Sequence, residues 1–213
     1  MIRASRTHYL TLVTRPSVAP SAPRARLHRP LLLAALALLG TSVACDDPFA
    51  PRADALNFNT AVEVWALTGA PTSFPTVILV PQALTVRPDA GGSFDIGFDI
   101  DADGRLLVVP MSKIVAPLSG PRSIGIIRTS DVFNTILEAP RSGWVFDSTL
   151  SVNVGQTFIV RVTTLFCNGQ FRREVYAKYH VDSVLPAERR IRLTGFVNPN
   201  CGFRSFATGI PKY

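Results

Sequence analysis

Residues 158–179 read FIVRVTTLFCNGQFRREVYAKY, two alternating runs joined at Asn168-Gly169. Asn-Gly is the strongest short-range signal for a two-residue hairpin turn, because both positions tolerate the positive φ that such a turn requires. Folding the chain there pairs Phe166 with Phe171, Val162 with Val175, Val160 with Ala177 and Phe158 with Tyr179. All four pairs fall on one face, which is the predicted buried face. The opposite face collects Arg161, Thr163, Arg172, Glu174, Tyr176 and Lys178. A slip of one residue would turn every side chain over, so the pattern specifies the register.

The same period continues outward. After Pro186, Ile191, Leu193, Gly195 and Val197 alternate with Arg190, Arg192, Thr194 and Phe196, which predicts a third strand. Upstream, Phe94 to Ile100 places its apolar residues on even positions, and Asp103-Gly104 offers a tight turn. A two-residue turn there predicts Ile100 opposite Leu107, Phe98 opposite Val109 and Ile96 opposite Met111. Ala61 to Leu67 and Val77 to Val80 read as further strands, and Asp131 to Leu137 as the best candidate for a short helix. Many short strands punctuated by 17 Pro and 14 Gly predict an all-β, antiparallel β-sandwich, or a barrel-like variant of it.

Val152-Asn153-Val154-Gly155, leading into Phe158-Ile159-Val160, resembles the opening of bacterial immunoglobulin-like modules, where an edge segment precedes a core strand. The resemblance implies a sandwich and no activity.

The formal charge of +7 divides unevenly. Residues 1–44 hold six Arg and no acid, whereas residues 45–213 hold 16 basic and 15 acidic side chains. The basic excess therefore belongs to a leader, and a nucleic-acid partner is not expected. Within the leader, Leu31 to Gly40 reads LLLAALALLG and is followed by small residues. A basic stretch, a short apolar core and small residues before a break make residues 1–44 a secretory signal peptide, too short to span as a helix. Ser42-Val43-Ala44-Cys45 resembles the lipobox of bacterial lipoproteins, with Ser42 in place of the usual Leu. That resemblance implies acylation of Cys45 and attachment to an envelope membrane, either inner or outer. Asp46 and Asp47 follow; in enterobacterial lipoproteins an Asp there tends to mean inner-membrane retention. Ordinary signal peptidase could also cut after Ala44 and release a soluble protein.

Cysteine arithmetic favours the anchored form. The chain has three cysteines, Cys45, Cys167 and Cys201. With Cys45 acylated, Cys167 and Cys201 are left to pair as one disulfide in an oxidising compartment. Residues 45–57 then read as a polar, Pro-containing tether and residues 58–213 as the folded domain. Residues 45–120 carry nine acids and four bases, and residues 121–213 six acids and twelve bases. Two subdomains, 58–120 and 121–213, or two regions of one sandwich, both fit that asymmetry.

Chemistry-bearing constellations are few. Asp99-Ile100-Asp101-Ala102-Asp103-Gly104 matches the first half of a calcium loop, but the twelfth position is Pro110 where a bidentate Glu is needed, so no metal is expected. Downstream of the leader there is one His, His180, projecting with Lys178 on the outer face, and no nucleophile elbow, P-loop or dinucleotide motif implying a cofactor. Glu63, Glu138, Glu174 and Glu188 are the carboxylates from which a glycosidase pair would be drawn. Arg161, Arg172, Lys178 and Tyr176, with Arg190 and Arg192 one strand on, make a candidate face for an anionic partner, against the alternative of an ordinary solvated sheet face. The expected function is that of a non-catalytic binding or structural module held at an envelope membrane through lipid on Cys45, its partner an envelope protein or anionic polymer. An envelope hydrolase using paired carboxylates and an assembly or chaperone factor are the alternatives.

Overall fold

The structure, a computed structural model, describes residues 52–115, 123–146, 148–167 and 170–212, with the side chains of 164–167 and 170–173 outside the description. Its strands are β1 (Phe58–Trp65), β2 (Val77–Leu79), β3 (Leu84–Val86), β4 (Ile96–Ile100), β5 (Leu106–Pro110), β6 (Ile124–Thr129), β7 (Val145–Phe146), β8 (Leu150–Val152), β9 (Thr157–Cys167), β10 (Gln170–Leu185) and β11 (Arg190–Asn198). They form two antiparallel sheets, ordered β1-β11-β10-β9-β6-β7 and β3-β2-β4-β5-β8, packed as a sandwich and not closed into a barrel. The halves of the chain interleave: β1 joins the sheet built from later strands, and β8 joins the sheet built from earlier ones.

The β9–β10 hairpin has the predicted register, with Phe166 opposite Phe171, Val162 opposite Val175, Val160 opposite Ala177 and Phe158 opposite Tyr179. Phe158, Val160, Val162, Val175, Ala177 and Tyr179 all enter the core between the sheets. They meet Ile78, Ile96, Phe98, Leu106, Val108 and Val152 from the other sheet. Strand β11 also follows its pattern, burying Ile191, Leu193 and Val197. At Val152 the edge strand β8 ends, and a turn at Gly155 (φ 84°) carries the chain across to the core strand β9.

The β4–β5 register differs from the predicted one by one residue. Ile100 faces Leu106, Phe98 faces Val108 and Ile96 faces Pro110. The loop has three residues, Ala102 to Gly104, closed by Asp101 N–H donating to Arg105 O (3.0 Å) and Gly104 N–H donating to Asp101 O (3.1 Å). Gly104 takes a left-handed φ of 77°, as in the three-residue hairpin with a bulge. The Asp101 carboxylate selects this loop by accepting from the Asp103 and Arg105 amides at 3.0 and 2.8 Å. Leu106 and Val108 are consequently buried, where the tighter turn would have buried Leu107 and Val109.

Between Asp131 and Leu137 the structure has a single 3-10 turn, Phe133–Thr135, where a short helix was expected. The residues on either side of it, Val132 and Ile136, are extended, and Ile136 packs against the outer face of the six-stranded sheet. Residues 54–57, expected to belong to a free tether, are docked. Asp54 and Ala55 amides both donate to Asn200 Oδ1 at 3.0 Å, and Asn57 forms a bridge with Gly209. Phe49–Tyr213 is a compact unit, and the core between the sheets is drawn from within it.

Candidate functional site

The outer face of the six-stranded sheet was expected to be a solvated basic surface. Its centre is instead roofed. Ile159 of β9, Tyr176 of β10 and Phe196 of β11 form a second apolar cluster with Ile136, Ala139 and Phe206, flanked by Ile127, Phe133 and Trp144. The roof is made by the segment around residues 133–144 and by the C-terminal segment around 203–206. Bridging hydrogen bonds fasten these two to each other: Ala139 N–H donates to Arg204 O (2.8 Å) and Phe206 N–H to Leu137 O (2.7 Å). A sequence signal for this cover exists in hindsight, since Ile159, Tyr176 and Phe196 are large apolar residues at outward-facing positions.

Lys178 lies at the centre of the roof with 4 % of its surface exposed. Its Nζ donates to Phe133 O (2.6 Å) and Ile136 O (2.8 Å). The ammonium also stands 4.4, 5.5 and 5.4 Å from the ring centres of Phe133, Phe196 and Phe206. The outward-facing lysine is thus an internal clasp, held by two carbonyls and three aromatic faces. Burial pushes its pKa down. Tyr176 is 5 % exposed, near Trp144, and burial followed by the Glu174 carboxylate pushes its phenol up.

The remaining residues of the predicted basic strip are engaged by carboxylates. Arg161 pairs with Glu174 (2.6 Å) and stands over the Phe146 ring. Arg192 pairs with Glu63 (2.7 Å), and Arg190 with Glu188 (2.5 Å) and Glu63 (3.7 Å). The Arg172 side chain lies outside the described residues. The described members therefore make no open basic strip: one is internal and the others are each paired with a glutamate. The same pairs occupy the carboxylates. With Glu138 held by Arg204 at 3.1 Å, each of the four glutamates singled out in the sequence faces an arginine.

The calcium-loop lookalike is also consumed locally. Asp99 pairs with Arg189 (2.6 Å) and accepts from Thr68 Oγ1 (2.6 Å), while Asp101 serves the hairpin loop and the Arg105 side chain. Asp103 turns to Arg105 (2.8 Å). The backbone amide and guanidinium of Arg105 hold the Asp101 carboxyl below its ordinary value. Among the described residues no group of three or more His, Cys, Asp or Glu side chains is placed to hold a metal. Cys201 is buried in the core, whereas Cys45 and the Cys167 side chain lie outside the described residues.

Two open clefts flank the roof. One, of about 460 Å³, is lined by Asp131, Phe133, His180, Asp182 and Thr194 among others. A bulge between Val181 and Ser183 lets Asp182 turn outward, where it accepts from Thr194 Oγ1 (2.9 Å); His180 Nδ1 lies 3.4 Å from Thr157 Oγ1. The other, of about 500 Å³, is lined by Leu137, Glu138, Arg141, Phe203, Arg204 and Lys212, with Gly202 and Ser205. Arg204 is anchored through Nε and Nη2 to Ala139 O and through Nη1 to Glu138. Arg141 and Lys212 are exposed and make no ion pair among the described residues. Neither cleft was legible in the sequence, because each is assembled from segments that only the tertiary fold brings together. Comparison of the chain with protein families, with curated proteins and with solved structures finds no match in any of the three.

Proposed function

We propose that the chain is an exported lipoprotein, anchored through acylated Cys45 to an envelope membrane, whose β-sandwich is a non-catalytic binding module. The anchor reading rests on the leader, the small residues before Cys45 and the cysteine count. One observation favours the binding module over a carboxylate hydrolase: Glu63, Glu138, Glu174 and Glu188 are each held by arginine. A glycosidase pair needs two carboxylates facing each other across the scissile bond, whereas each of these four faces a guanidinium. The sheet faces support the same reading, since one is packed on the other sheet and the second carries the roof and its two clefts. The recognition surface is then the roofed face, and the partner an envelope protein or an anionic envelope polymer.

The test uses the full chain expressed in a bacterial host. Mass spectrometry of the mature amino terminus should show diacylglycerol on Cys45, and Cys45→Ala should move the protein out of the membrane fraction. An unmodified Cys45 terminus in a soluble fraction would overturn the anchor. Release of reducing sugar from envelope polysaccharide, lost in Glu63→Gln or Glu174→Gln, would overturn the non-catalytic reading.

A further inference from the structure

The segment 203–209 has different neighbours on its two flanks. On one, the chain enters the domain: Asn200 holds the amides of Asp54 and Ala55, and Asn57 Nδ2 donates to Ser205 O (3.1 Å) and Ala207 O (2.8 Å). On the other, residues 137–139 pair with Arg204 to Phe206 and open into the cleft bearing Arg141, Arg204 and Lys212. The entry of the chain and the basic cleft therefore belong to one end of the sandwich. Large apolar side chains are exposed at the same end: Leu56 (65 %), Leu137 (64 %) and Ile210 (49 %).

Eight residues, 46–53, lie between Cys45 and Asp54, so nine backbone steps join the two. An extended chain reaches at most ~3.3–3.6 Å per residue, so this stretch spans no more than about 30 Å. If Cys45 carries the lipid, this end of the domain is kept close to the headgroups. Basic side chains beside exposed apolar ones suit an anionic interface, where the cations meet headgroup phosphates and the apolar tips meet the acyl boundary. Glu138 is the cleft's one acid and is already held by Arg204, which leaves Arg141 and Lys212 as its open charges.

We propose that the end of the sandwich formed by residues 137–141 and 202–212 is a membrane-docking surface for anionic lipid, with Arg141 and Lys212 as its headgroup contacts. The proposal rests on the lipoprotein reading for its orientation, but its chemistry can be tested without the anchor. The surface holds the domain against the bilayer and leaves the polar cleft of His180, Asp131 and Asp182 as the separate site for an envelope partner.

Residues 49–213 form their own compact unit, so this fragment, which lacks both leader and Cys45, serves as the probe. It should sediment with vesicles of phosphatidylcholine containing one third phosphatidylglycerol at low salt, and not with pure phosphatidylcholine vesicles. Each Lys or Arg near an anionic surface contributes about a fivefold gain in binding, so Arg141→Ala with Lys212→Ala should bind about 25-fold more weakly. Arg204 is left in place because it fastens the roof, and a thermal melt of the double variant should match the wild type. Arg192→Ala, at the Glu63 pair, should bind as wild type. Hydrogen exchange on vesicles should show protection confined to residues 54–57, 137–141 and 202–212. Equal binding to neutral vesicles, undiminished binding by the double variant, protection elsewhere, or no binding at low salt would each overturn the surface. The outcomes separate the two readings. Acylated Cys45 in the full chain with no vesicle binding by the fragment defeats the surface alone; an unmodified Cys45 with anionic-vesicle binding defeats the anchor alone.

Discussion

Replacing Lys178 by Met tests whether the buried ammonium holds the roof to the sheet. The substitution keeps a long unbranched side chain among Phe133, Phe196 and Phe206 and removes only the charge and its donors. Two opposing effects set the outcome. The ammonium loses its desolvation cost, and a thioether against aromatic rings contributes ~0.3–1.5 kcal/mol of its own. Against this, Phe133 O and Ile136 O lose their donor at 2.6 and 2.8 Å. A buried carbonyl left without a partner costs ~1–3 kcal/mol. The hydrogen bond to Ile136 O is buried and that to Phe133 O half-buried, and Phe133 lines the open polar cleft, where water can reach. The expected net loss is therefore nearer one full penalty than two, about 2 kcal/mol. For a domain of this size that lowers Tm by roughly 4–8 °C. Urea melts followed through the roof residue Trp144, whose Nε1–H donates to Pro140 O, should report it together with faster hydrogen exchange over residues 133–139. The difference also has a pH signature. Burial lowers the folded-state pKa of Lys178 below its ordinary 10.5. Between that lowered value and 10.5 the unfolded chain holds more protons, so wild-type stability should rise with pH relative to Lys178→Met. A Met variant as stable as the wild type, with unchanged exchange in the roof, would refute the clasp.

Three further outcomes follow from the core and the cysteines. Tyr179 is fully buried and its hydroxyl has no hydrogen-bond partner among the described residues, so Tyr179→Phe should raise stability by about 1 kcal/mol in a urea melt; a loss of that size would show that the hydroxyl is satisfied. Gly195 faces Tyr179 on one side and Thr60 on the other, and a Cβ there would lie 2.7 Å from each, so Gly195→Ala should cost about 1–3 kcal/mol by the same assay. No change in midpoint would mean that Tyr179 moves aside freely. Non-reducing peptide mapping should recover Cys167 linked to Cys201, a closure of 34 residues contributing about 3.8 kcal/mol in the chain-entropy model; free thiols at both positions in protein from the envelope would remove it.

How much could be read in advance depended on the range of the interactions involved. The β9–β10 hairpin was legible because a two-residue Asn-Gly turn and period-two alternation are local, and together they leave one register. The β4–β5 hairpin has the same alternation, yet its register turned on a side chain: Asp101 accepts from two amides of the loop and makes the three-residue turn the satisfied one. The described members of the candidate basic strip sit at the outward positions of β9, β10 and β11, and what was not legible was their surroundings. Glu63 reaches Arg192 across 129 residues of sequence, and Phe133 meets Lys178 across 45. No local pattern reports such partners.

By itself, the sequence determined that the domain is an antiparallel all-β fold, which residues of β9, β10 and β11 face the core, and that a stretch with six Arg, no acid and an apolar run precedes it. Those properties follow from backbone geometry and from side chains alternating over a few residues. Tertiary structure alone decided that the outer face is roofed, that Lys178 is internal, that the glutamates are occupied by arginines and that Arg141, Arg204 and Lys212 share a cleft beside the chain's entry into the domain. The physical reason is that burial and charge pairing belong to contacts between distant segments: a side chain's face is set by its own strand, but whether that face meets water, an acid or an aromatic ring is set by what the rest of the chain lays over it.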